Sequence, residues 1–353
     1  MKAWQFTNTN EPLVLSEVPE PSPGPGEVVL EIKAAGLCHS DVGAMTDPSW
    51  LSVIPVRPIV IGHEVAGVVC ALGEGVTNVR VGERYGVWPM GAAGAPGYAR
   101  DGGFTYLHRV AVADLVPVPD GLSFELAAMG TDAGMTSYHA VMTQGAVRSG
   151  DKVGIIGLGG LGQIGARVAV VSGALVHVAE VNKAAWPLAD EIGATSVVAD
   201  VAEWAGHDFD VIVDFAGVGT TTASALAAIR RDGRVVVVGM GTMEITLSTM
   251  DVVRKQAQIY GSNGGTKDDI AAVYELLRNG DVRPAYTVIG FDDIPEAAFF
   301  TPALTTVRQD FEALGHDIMA TVVDVLRNEP DAPDRTARVP ELVVRASTAA
   351  PTR

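Results

Sequence analysis

The stretch KVGIIGLGGLG, from Lys152 to Gly162, is the most informative part of the chain. An apolar run, Lys152–Ile156, leads into the pattern Gly-x-Gly-x-x-Gly, which is typical of a strand, a tight turn and the start of a helix that binds a dinucleotide. Glycine makes up 40 of 353 residues, so the pattern alone is weak evidence. Its place directly after a strand-like run strengthens it. The predicted cofactor-binding residues of the turn are Gly157, Gly159, Gly160, Leu161 and Gly162.

Three further apolar runs follow the glycine turn, separated by stretches of helical pattern. They are Leu175–Val178, Asp210–Val213 and Arg234–Val238. Short runs rich in valine and isoleucine that alternate with helices are typical of buried parallel strands. We therefore predict an α/β domain with a doubly wound parallel sheet, a Rossmann fold, over residues 146–285.

Glu180 closes the strand that begins at Leu175 and lies 18 residues beyond Gly162. A carboxylate at this place can accept hydrogen bonds from the adenosine ribose and repel a 2′-phosphate, which favours NAD(H). Lys183 is a cation three residues later and would tolerate a 2′-phosphate, so NADP(H) remains the alternative. Asp214, at the end of the next strand, either touches the cofactor or caps a loop.

The first 145 residues have a different pattern, rich in valine, glycine and proline. The runs Glu27–Ile32 and Val65–Val69 alternate between turn-forming segments such as Pro21–Gly24, which is typical of β-structure. We predict a β-rich domain over residues 1–145. The length of 353 residues also suits two domains, and 48% hydrophobic residues suffice to bury both cores.

The net charge of −17 argues against nucleic-acid and membrane partners, because phosphate backbones and anionic headgroups would be repelled. No run of apolar residues is long enough to span a bilayer, and the first residues lack the apolar core of a signal peptide. We expect a cytoplasmic protein. Thiols stay reduced there, so a Cys38–Cys70 disulfide is disfavoured, and Cys70 is interpreted as a packed thiol.

Potential metal ligands lie in three short motifs of the β-rich part. They are Cys38 in CHSD, His63 and Glu64 in GHE, and Asp132 in TDAG. A thiolate, an imidazole and a carboxylate can hold Zn²⁺ and leave a fourth position open for a substrate oxygen or water. A zinc site next to a dinucleotide site predicts a metal-assisted dehydrogenase.

Four motifs in this order resemble the zinc-dependent medium-chain alcohol dehydrogenases, over about residues 1–297. The matching segments are Gly36–Asp41, Gly62–Gly67, Thr131–Ala140 and Gly157–Gly162. The resemblance implies a GroES-like catalytic domain joined to a Rossmann domain, and a small alcohol or carbonyl compound as substrate. It implies Cys38, His63 and Asp132 as ligands of a catalytic zinc, with Glu64 as an alternate or neighbouring carboxylate.

The same resemblance implies roles for three more residues. Ser40 matches the hydroxyl that passes the alcohol proton onward. His39 matches a contact to the cofactor pyrophosphate, and Thr136 matches a position near the nicotinamide. Many relatives carry a histidine three residues after the relay hydroxyl, where this chain has Gly43. Family members also associate, so a homo-oligomer, a dimer or a tetramer, is expected.

The chain departs from the family in two places. It lacks the four closely spaced cysteines of a structural zinc lobe and has only the short segment Met90–Gly97 there, which predicts one catalytic zinc and no structural zinc. From about residue 287 it resembles the end of lactose-repressor-family regulators. We expect an atypical C-terminal segment over 286–353, with an amphipathic helix over 310–328, that returns to the catalytic domain.

Several interpretations remain open from the sequence. Trp50, Leu51, Trp88 and Met90 either line an apolar substrate pocket or belong to ordinary core and loop packing. A zinc-free quinone or enone reductase of the same superfamily would explain the missing lobe but not the three predicted ligands. A non-catalytic cofactor-binding relic of a gene fusion is the alternative from another functional class.

Overall fold

The computed structural model describes residues 1–286 and, beyond them, the backbone of three short strands. The chain divides into two compact units, Met1–Pro284 and Ala285–Arg353.

The first unit contains fourteen strands among the described residues. They are β1 (Lys2–Phe6), β2 (Val14–Glu17), β3 (Glu27–Gly36), β4 (Ile59–Val60), β5 (Glu64–Leu72), β6 (Arg84–Val87), β7 (Leu107–Ala111), β8 (Leu115–Pro117), β9 (Lys152–Ile156), β10 (Leu175–Ala179), β11 (Ser196–Val198), β12 (Phe209–Asp214), β13 (Ile229–Val237) and β14 (Gln258–Gly261).

Its α-helices are α1 (His39–Thr46), α2 (Phe124–Met129), α3 (Met135–Tyr138), α4 (Gly160–Val171), α5 (Trp186–Ile192), α6 (Thr220–Ala228), α7 (Thr249–Lys255) and α8 (Lys267–Asn279). Short 3₁₀ helices span Pro48–Ser52, Val112–Asp114, Lys183–Ala185 and Val201–Trp204.

Six strands form a parallel sheet in the order β11-β10-β9-β12-β13-β14. The first of them, β9, lies in the middle, with later strands added outward on both sides, which is the strand order of the Rossmann fold. The central strands β9 and β12 are almost fully buried, as their unbroken apolar runs predict. The predicted doubly wound sheet is confirmed.

A five-stranded sheet dominates the N-terminal part, in the order β7-β3-β5-β6-β8, and the pairings within it are antiparallel. Val28 and Leu30 of β3 face a core that they share with Val65 and Val69 of β5. The middle of the sheet is buried at consecutive residues, such as Val28, Val29 and Leu30. A smaller sheet, β2-β1-β4, packs beside it.

A helical stretch from Phe124 to Gln144 lies between the two sheets in sequence. It changes from α-helix to π-helix at Gly130–Gly134, returns to α-helix in α3, and ends in a second π segment at His139–Gln144. Its buried face shares a core with the parallel sheet and with α8. Single π turns are uncommon and are found often at functional sites.

The second unit contributes three described strands, β15 (Ile289–Phe291), β16 (Thr305–Arg308) and β17 (Glu341–Val343). They pair in the order β15-β16-β17, parallel at the first junction and antiparallel at the second. The helix predicted over 310–328 lies outside the described residues. No helix in the described part of the chain has the length and apolarity needed to cross a membrane.

Candidate metal and nucleotide site

Four side chains from three separate parts of the chain converge in the first unit. One ligand atom each from Cys38, His63, Glu64 and Asp132 lies within 4.8 Å of the other three. Asp132 Oδ2 is 3.5 Å from Cys38 Sγ and 3.4 Å from His63 Nε2. Among the residues that the structure describes, no other group of three or more such side chains comes together in this way.

Cys38 is held at the site by the start of α1. It is the N-cap residue, and its backbone N–H donates to Asp41 Oδ2 at 2.9 Å, so the helix start fixes the direction of the thiol. His63 follows Gly62, whose φ of +100° turns the chain between β4 and β5. A side chain at Gly62 would strike the Phe104 ring at 2.5 Å, so glycine is required for both reasons.

Glu64 opens β5 directly opposite Gly36 of β3. A Cβ atom at Gly36 would lie 1.8 Å from Glu64 Oε2. The bare glycine backbone therefore makes the room in which the buried carboxylate sits. The two glycines that precede Cys38 and His63 in their motifs thus have a packing role in this site.

Asp132 reaches the site from the π segment Gly130–Gly134. The side chain of Thr136, one turn later, donates to Asp132 Oδ1 at 3.1 Å, which leaves Oδ2 toward Cys38 and His63. Thr136 thus contacts a predicted metal ligand. Its place near the nicotinamide, expected from the family resemblance, stays a prediction.

The charges in this cluster favour a bound cation. Burial would lower the pKa of His63, but the carboxylates of Asp132 and Asp41 and the thiol of Cys38 raise it far above its usual range. Burial and the nearby charge of Asp132 raise the pKa of Glu64 to about 8. A divalent cation would neutralise this concentration of negative charge, and thiolate, imidazole and carboxylate are donors that suit zinc.

Asp41 is a site residue that sequence reasoning missed. It is fully buried, and its Oδ1 lies 3.3 Å from His63 Nδ1. An imidazole that binds a metal through one nitrogen is commonly oriented by a carboxylate at the other. The signal in the sequence was available, since an acidic residue at the third position of a helix is typical of a capping box.

Ser40 and Tyr98 complete the immediate surroundings of His63. Ser40 Oγ is 3.5 Å from His63 Nε2, and the Tyr98 ring centroid is 5.3 Å from that of His63. Burial raises the pKa of Tyr98 to about 12, so the phenol stays neutral. The Trp50 indole covers Gly43, where a Cβ would lie 2.8 Å from Trp50 Nε1. The space above Gly43 is therefore taken by an aromatic side chain.

The glycine turn lies at the carboxyl end of β9, as the motif predicts. Gly157 has φ +85°, and a Cβ at Gly162 would lie 1.8 Å from the Gly157 carbonyl oxygen. Gly159 and Gly160 face open space, where the backbone can approach a phosphate group at the N-terminus of α4. Leu161 joins this turn to the helical stretch, because its carbonyl accepts a hydrogen bond from Ser137 Oγ at 2.8 Å.

Glu180 lies beside the turn. Its Oε2 accepts from the backbone N–H of Leu158 at 2.7 Å, and its Oε1 accepts from Asn182 N–H at 2.7 Å. Both oxygens of the carboxylate are thus held by backbone N–H groups. Lys183 is exposed and its Nζ lies 5.7 Å from the Trp186 ring centroid. His39 is exposed on α1.

Two sequence interpretations are settled by the packing. Asp214 is fully buried, and its carboxylate accepts hydrogen bonds from two backbone N–H groups and from the hydroxyls of Thr221 and Thr222. It therefore caps a loop. The interpretation of Cys70 as a packed thiol is wrong: Cys70 is exposed, because it lies on the solvent side of β5. Both cysteines are free thiols.

Comparison with known proteins agrees with this architecture. A family model described as alcohol dehydrogenase GroES-like domain matches residues 24–120, and one described as zinc-binding dehydrogenase matches residues 160–279. An alcohol dehydrogenase of Geobacillus stearothermophilus is 33% identical over 319 residues, which cover 83% of this chain and 94% of the relative. This chain belongs to the alcohol dehydrogenase family.

Solved structures give the same result for this dehydrogenase. The structure of an acetophenone reductase from Geotrichum candidum in complex with NAD matches with a TM-score of 0.74 and 27% identity, over 93% of this chain and 94% of that one. An NADP-dependent alcohol dehydrogenase C of Mycolicibacterium smegmatis is 26% identical, over 84% of this chain and 93% of the relative. The dehydrogenase is therefore an oxidoreductase of alcohols or carbonyl compounds.

The end of the dehydrogenase matches a different family model. Residues 284–348 match one described as periplasmic binding protein-like domain. This match begins at the boundary between the two structural units, Pro284–Ala285.

Proposed function

We propose that the chain is an NAD(H)-dependent dehydrogenase that interconverts a primary or secondary alcohol and its aldehyde or ketone, with one zinc ion per chain. Cys38, His63 and Asp132 hold the ion, and Glu64 is an alternate ligand. The convergence of these four side chains, from parts of the chain up to 94 residues apart, carries the proposal. A zinc-free reductase would have no use for such a buried cluster of ionisable side chains, which is costly to desolvate.

Zinc held there supplies Lewis-acid chemistry, which favours the ionised form of an alcohol and polarises a carbonyl group. Two neighbouring residues prepare the ligands for this role. Asp41 orients the His63 ring through Nδ1, and Thr136 restrains the Asp132 carboxylate through Oδ1. These contacts reduce the freedom of the ligand atoms before the ion binds, which raises affinity for the metal.

Ser40 is the residue through which we propose that the substrate proton leaves. Its hydroxyl is 3.5 Å from His63 Nε2, beside the ligand cluster, and can both donate and accept a hydrogen bond. The next carrier in many relatives, a histidine, corresponds to Gly43, and Trp50 fills the space above it. With Gly43 in that position, Ser40 would hand the proton to a ribose hydroxyl of the bound cofactor or to water.

The cofactor is placed at the carboxyl edge of the parallel sheet. Gly157–Gly162 would receive the pyrophosphate, with His39 reaching it from α1, and Glu180 would accept the ribose hydroxyls and repel a 2′-phosphate. NAD is preferred on the strength of this carboxylate, and the acetophenone reductase structure with NAD supports the choice. NADP remains the alternative, because Lys183 is close in sequence and an NADP-dependent relative is similar.

Three further features belong to the proposal. The segment 286–353 derives from the end of a lactose-repressor-family regulator, consistent with the periplasmic binding protein-like match, and carries no repressor activity. The protein works in the cytoplasm as a homo-oligomer, a dimer or a tetramer. Domain limits of 1–145, 146–285 and 286–353 describe its organisation.

The first test is the zinc content of the purified chain, measured by elemental analysis together with NAD(H)-dependent turnover of a panel of alcohols and ketones. We expect about one zinc per chain, lost in Cys38→Ser along with activity. Cys70→Ser, at the exposed cysteine, is the matched control and should keep both. A folded, active chain without zinc would favour the zinc-free reductase, and cofactor binding without turnover would favour the non-catalytic relic.

A further inference from the structure

One side chain of the β-rich part reaches across to the loop that follows β14. The Trp88 indole N–H, just after β6, donates to the carbonyl oxygen of Gly265 at 2.9 Å, between residues 177 positions apart. Two more contacts join the same regions. Lys267 Nζ donates to the Ala113 carbonyl oxygen at 2.7 Å, and Met90 packs against Gly264, where a Cβ would lie 2.9 Å from the Met90 sulfur.

Trp88 itself is firmly placed. Its backbone N–H donates to the Asp114 carbonyl at 2.8 Å, and its ring packs against the core that is shared by the parallel sheet and the helical stretch 124–144. The side chain is half-buried. A hydrogen bond in such a setting is worth more than one at the surface.

The opposite side of Gly265 rests on the helical stretch that carries Asp132. A Cβ at Gly265 would lie 2.9 Å from Met135 Cγ and 3.0 Å from His139 Cβ. His139 Nδ1 lies 2.9 Å from Asp269 Oδ2, and Asp269 also caps α8 through the backbone N–H of Thr266 at 2.8 Å. The loop 262–266 and the first residues of α8 are therefore held from two sides.

The position of the loop 262–266 indicates what these contacts do. It follows β14 at the carboxyl edge of the parallel sheet, the edge at which nucleotides bind in such folds. It also touches the helical stretch that presents Asp132 to the proposed zinc site. The loop 262–266 therefore lies beside both the edge of the parallel sheet and the stretch that carries Asp132.

We propose that Trp88 is a positioning residue for the cofactor, which holds the loop 262–266 against the β-rich domain in the arrangement that accepts the nicotinamide nucleotide. This inference rests on the proposed function, because it takes the cofactor from there. Without the indole hydrogen bond the loop populates other arrangements, and the apparent dissociation constant of the cofactor rises in inverse proportion to the fraction of molecules that keep the competent arrangement.

The test is the dissociation constant of NADH for the intact protein, measured by titration calorimetry in wild type, Trp88→Phe and Lys267→Met. Phenylalanine keeps an aromatic ring and removes the donor together with the second ring of the indole. We expect Trp88→Phe to raise the dissociation constant about two- to tenfold, which corresponds to one hydrogen bond. Lys267→Met should raise it by less, because an exposed ammonium contact contributes little.

A merely structural role would lower the unfolding temperature and leave NADH affinity unchanged, and that result would overturn the proposal.

Trp4→Phe, in β1, is the matched substitution for the loss of an indole and should leave the dissociation constant unchanged. Zinc content should stay at the wild-type value in all variants. If Trp88→Phe fails to fold, Trp88→Met takes its place, because it also removes the donor, and an unchanged dissociation constant in that variant would contradict the proposal. Wild type that binds neither NADH nor NADPH would overturn the proposed function as well, so the two failures are distinguishable.

Discussion

Thr136 donates a hydrogen bond to Asp132 Oδ1 at 3.1 Å, from one turn further along the same helical stretch. The contact is local in sequence, but it restrains a side chain of a cluster that three distant segments form. It holds the carboxylate so that its other oxygen lies within 3.5 Å of both Cys38 Sγ and His63 Nε2. The proposed zinc site therefore depends on Thr136 as well as on its ligands.

Removing this contact should weaken zinc binding. Thr136→Val keeps the shape of the side chain and removes the hydroxyl, and we expect the zinc dissociation constant to rise about 10- to 100-fold. Competition with a chromogenic chelator measures this directly. Thr136→Ser retains the hydroxyl and should stay near wild type. Equal zinc affinity in the valine variant would show that the ligand needs no such support.

The glycines of the nucleotide turn should separate into two groups. Gly162→Ala places a Cβ 1.8 Å from the Gly157 carbonyl, whereas Gly159→Ala meets no atom within 4 Å. We expect Gly162→Ala to destabilise the fold, seen as a lower unfolding temperature. Gly159→Ala should keep that temperature and bind NADH more weakly, because a methyl group would stand where the backbone approaches phosphate. Unchanged NADH affinity in Gly159→Ala would place the pyrophosphate elsewhere.

Glu180 should control the choice of cofactor. Glu180→Ala removes the charge that would repel a 2′-phosphate, and we expect the ratio of kcat/KM for NADPH to that for NADH to rise by at least about tenfold. Asp190→Asn, at an exposed position of α5, changes the net charge equally and should leave the ratio unchanged. A wild-type preference for NADPH would end the assignment of Glu180 as a discriminating residue.

His108 should make the fold sensitive to acid. It is buried in β7, and burial, together with the charge of Arg100, lowers its pKa to about 3. Between that value and the unfolded pKa of about 6.5 the unfolded chain binds the extra proton, so stability falls as the pH drops. At pH 5, protonation of His108 in the unfolded chain lowers the free energy of unfolding by about 2 kcal/mol.

Urea unfolding at pH 7 and pH 5 measures this loss. His108→Leu removes the titrating group and should lessen the difference in unfolding free energy between the two pH values. His177→Leu, at a histidine that is only partly buried, should reduce the difference by less. An equal pH dependence in wild type and His108→Leu would show that other groups dominate acid unfolding.

Several features followed from the sequence because their cause is local. The parallel strands were predictable from unbroken apolar runs, because a strand that is buried on both faces carries apolar side chains on both. The turn at Gly157 was predictable because only glycine adopts its backbone conformation without strain. The strand order was expected from the Rossmann pattern and agrees with the sheet observed. The ligand set came from the resemblance of short motifs.

Other features depended on the tertiary structure. Residues such as Tyr98 carry no local signal for their place beside His63, because that place is set by how a loop packs. Cys70 was misjudged for a related reason, since an apolar neighbourhood in sequence does not say which face of a strand is buried.

The sequence by itself therefore determined the buried parallel strands, the nucleotide turn and the chemical types of the predicted ligands. The tertiary structure alone decided which partners orient those ligands, and that Trp88 meets Gly265 from 177 residues away. The physical reason is the range of the interactions. Backbone preferences and periodic burial act between near neighbours, whereas contacts between distant segments exist only once the cores have packed.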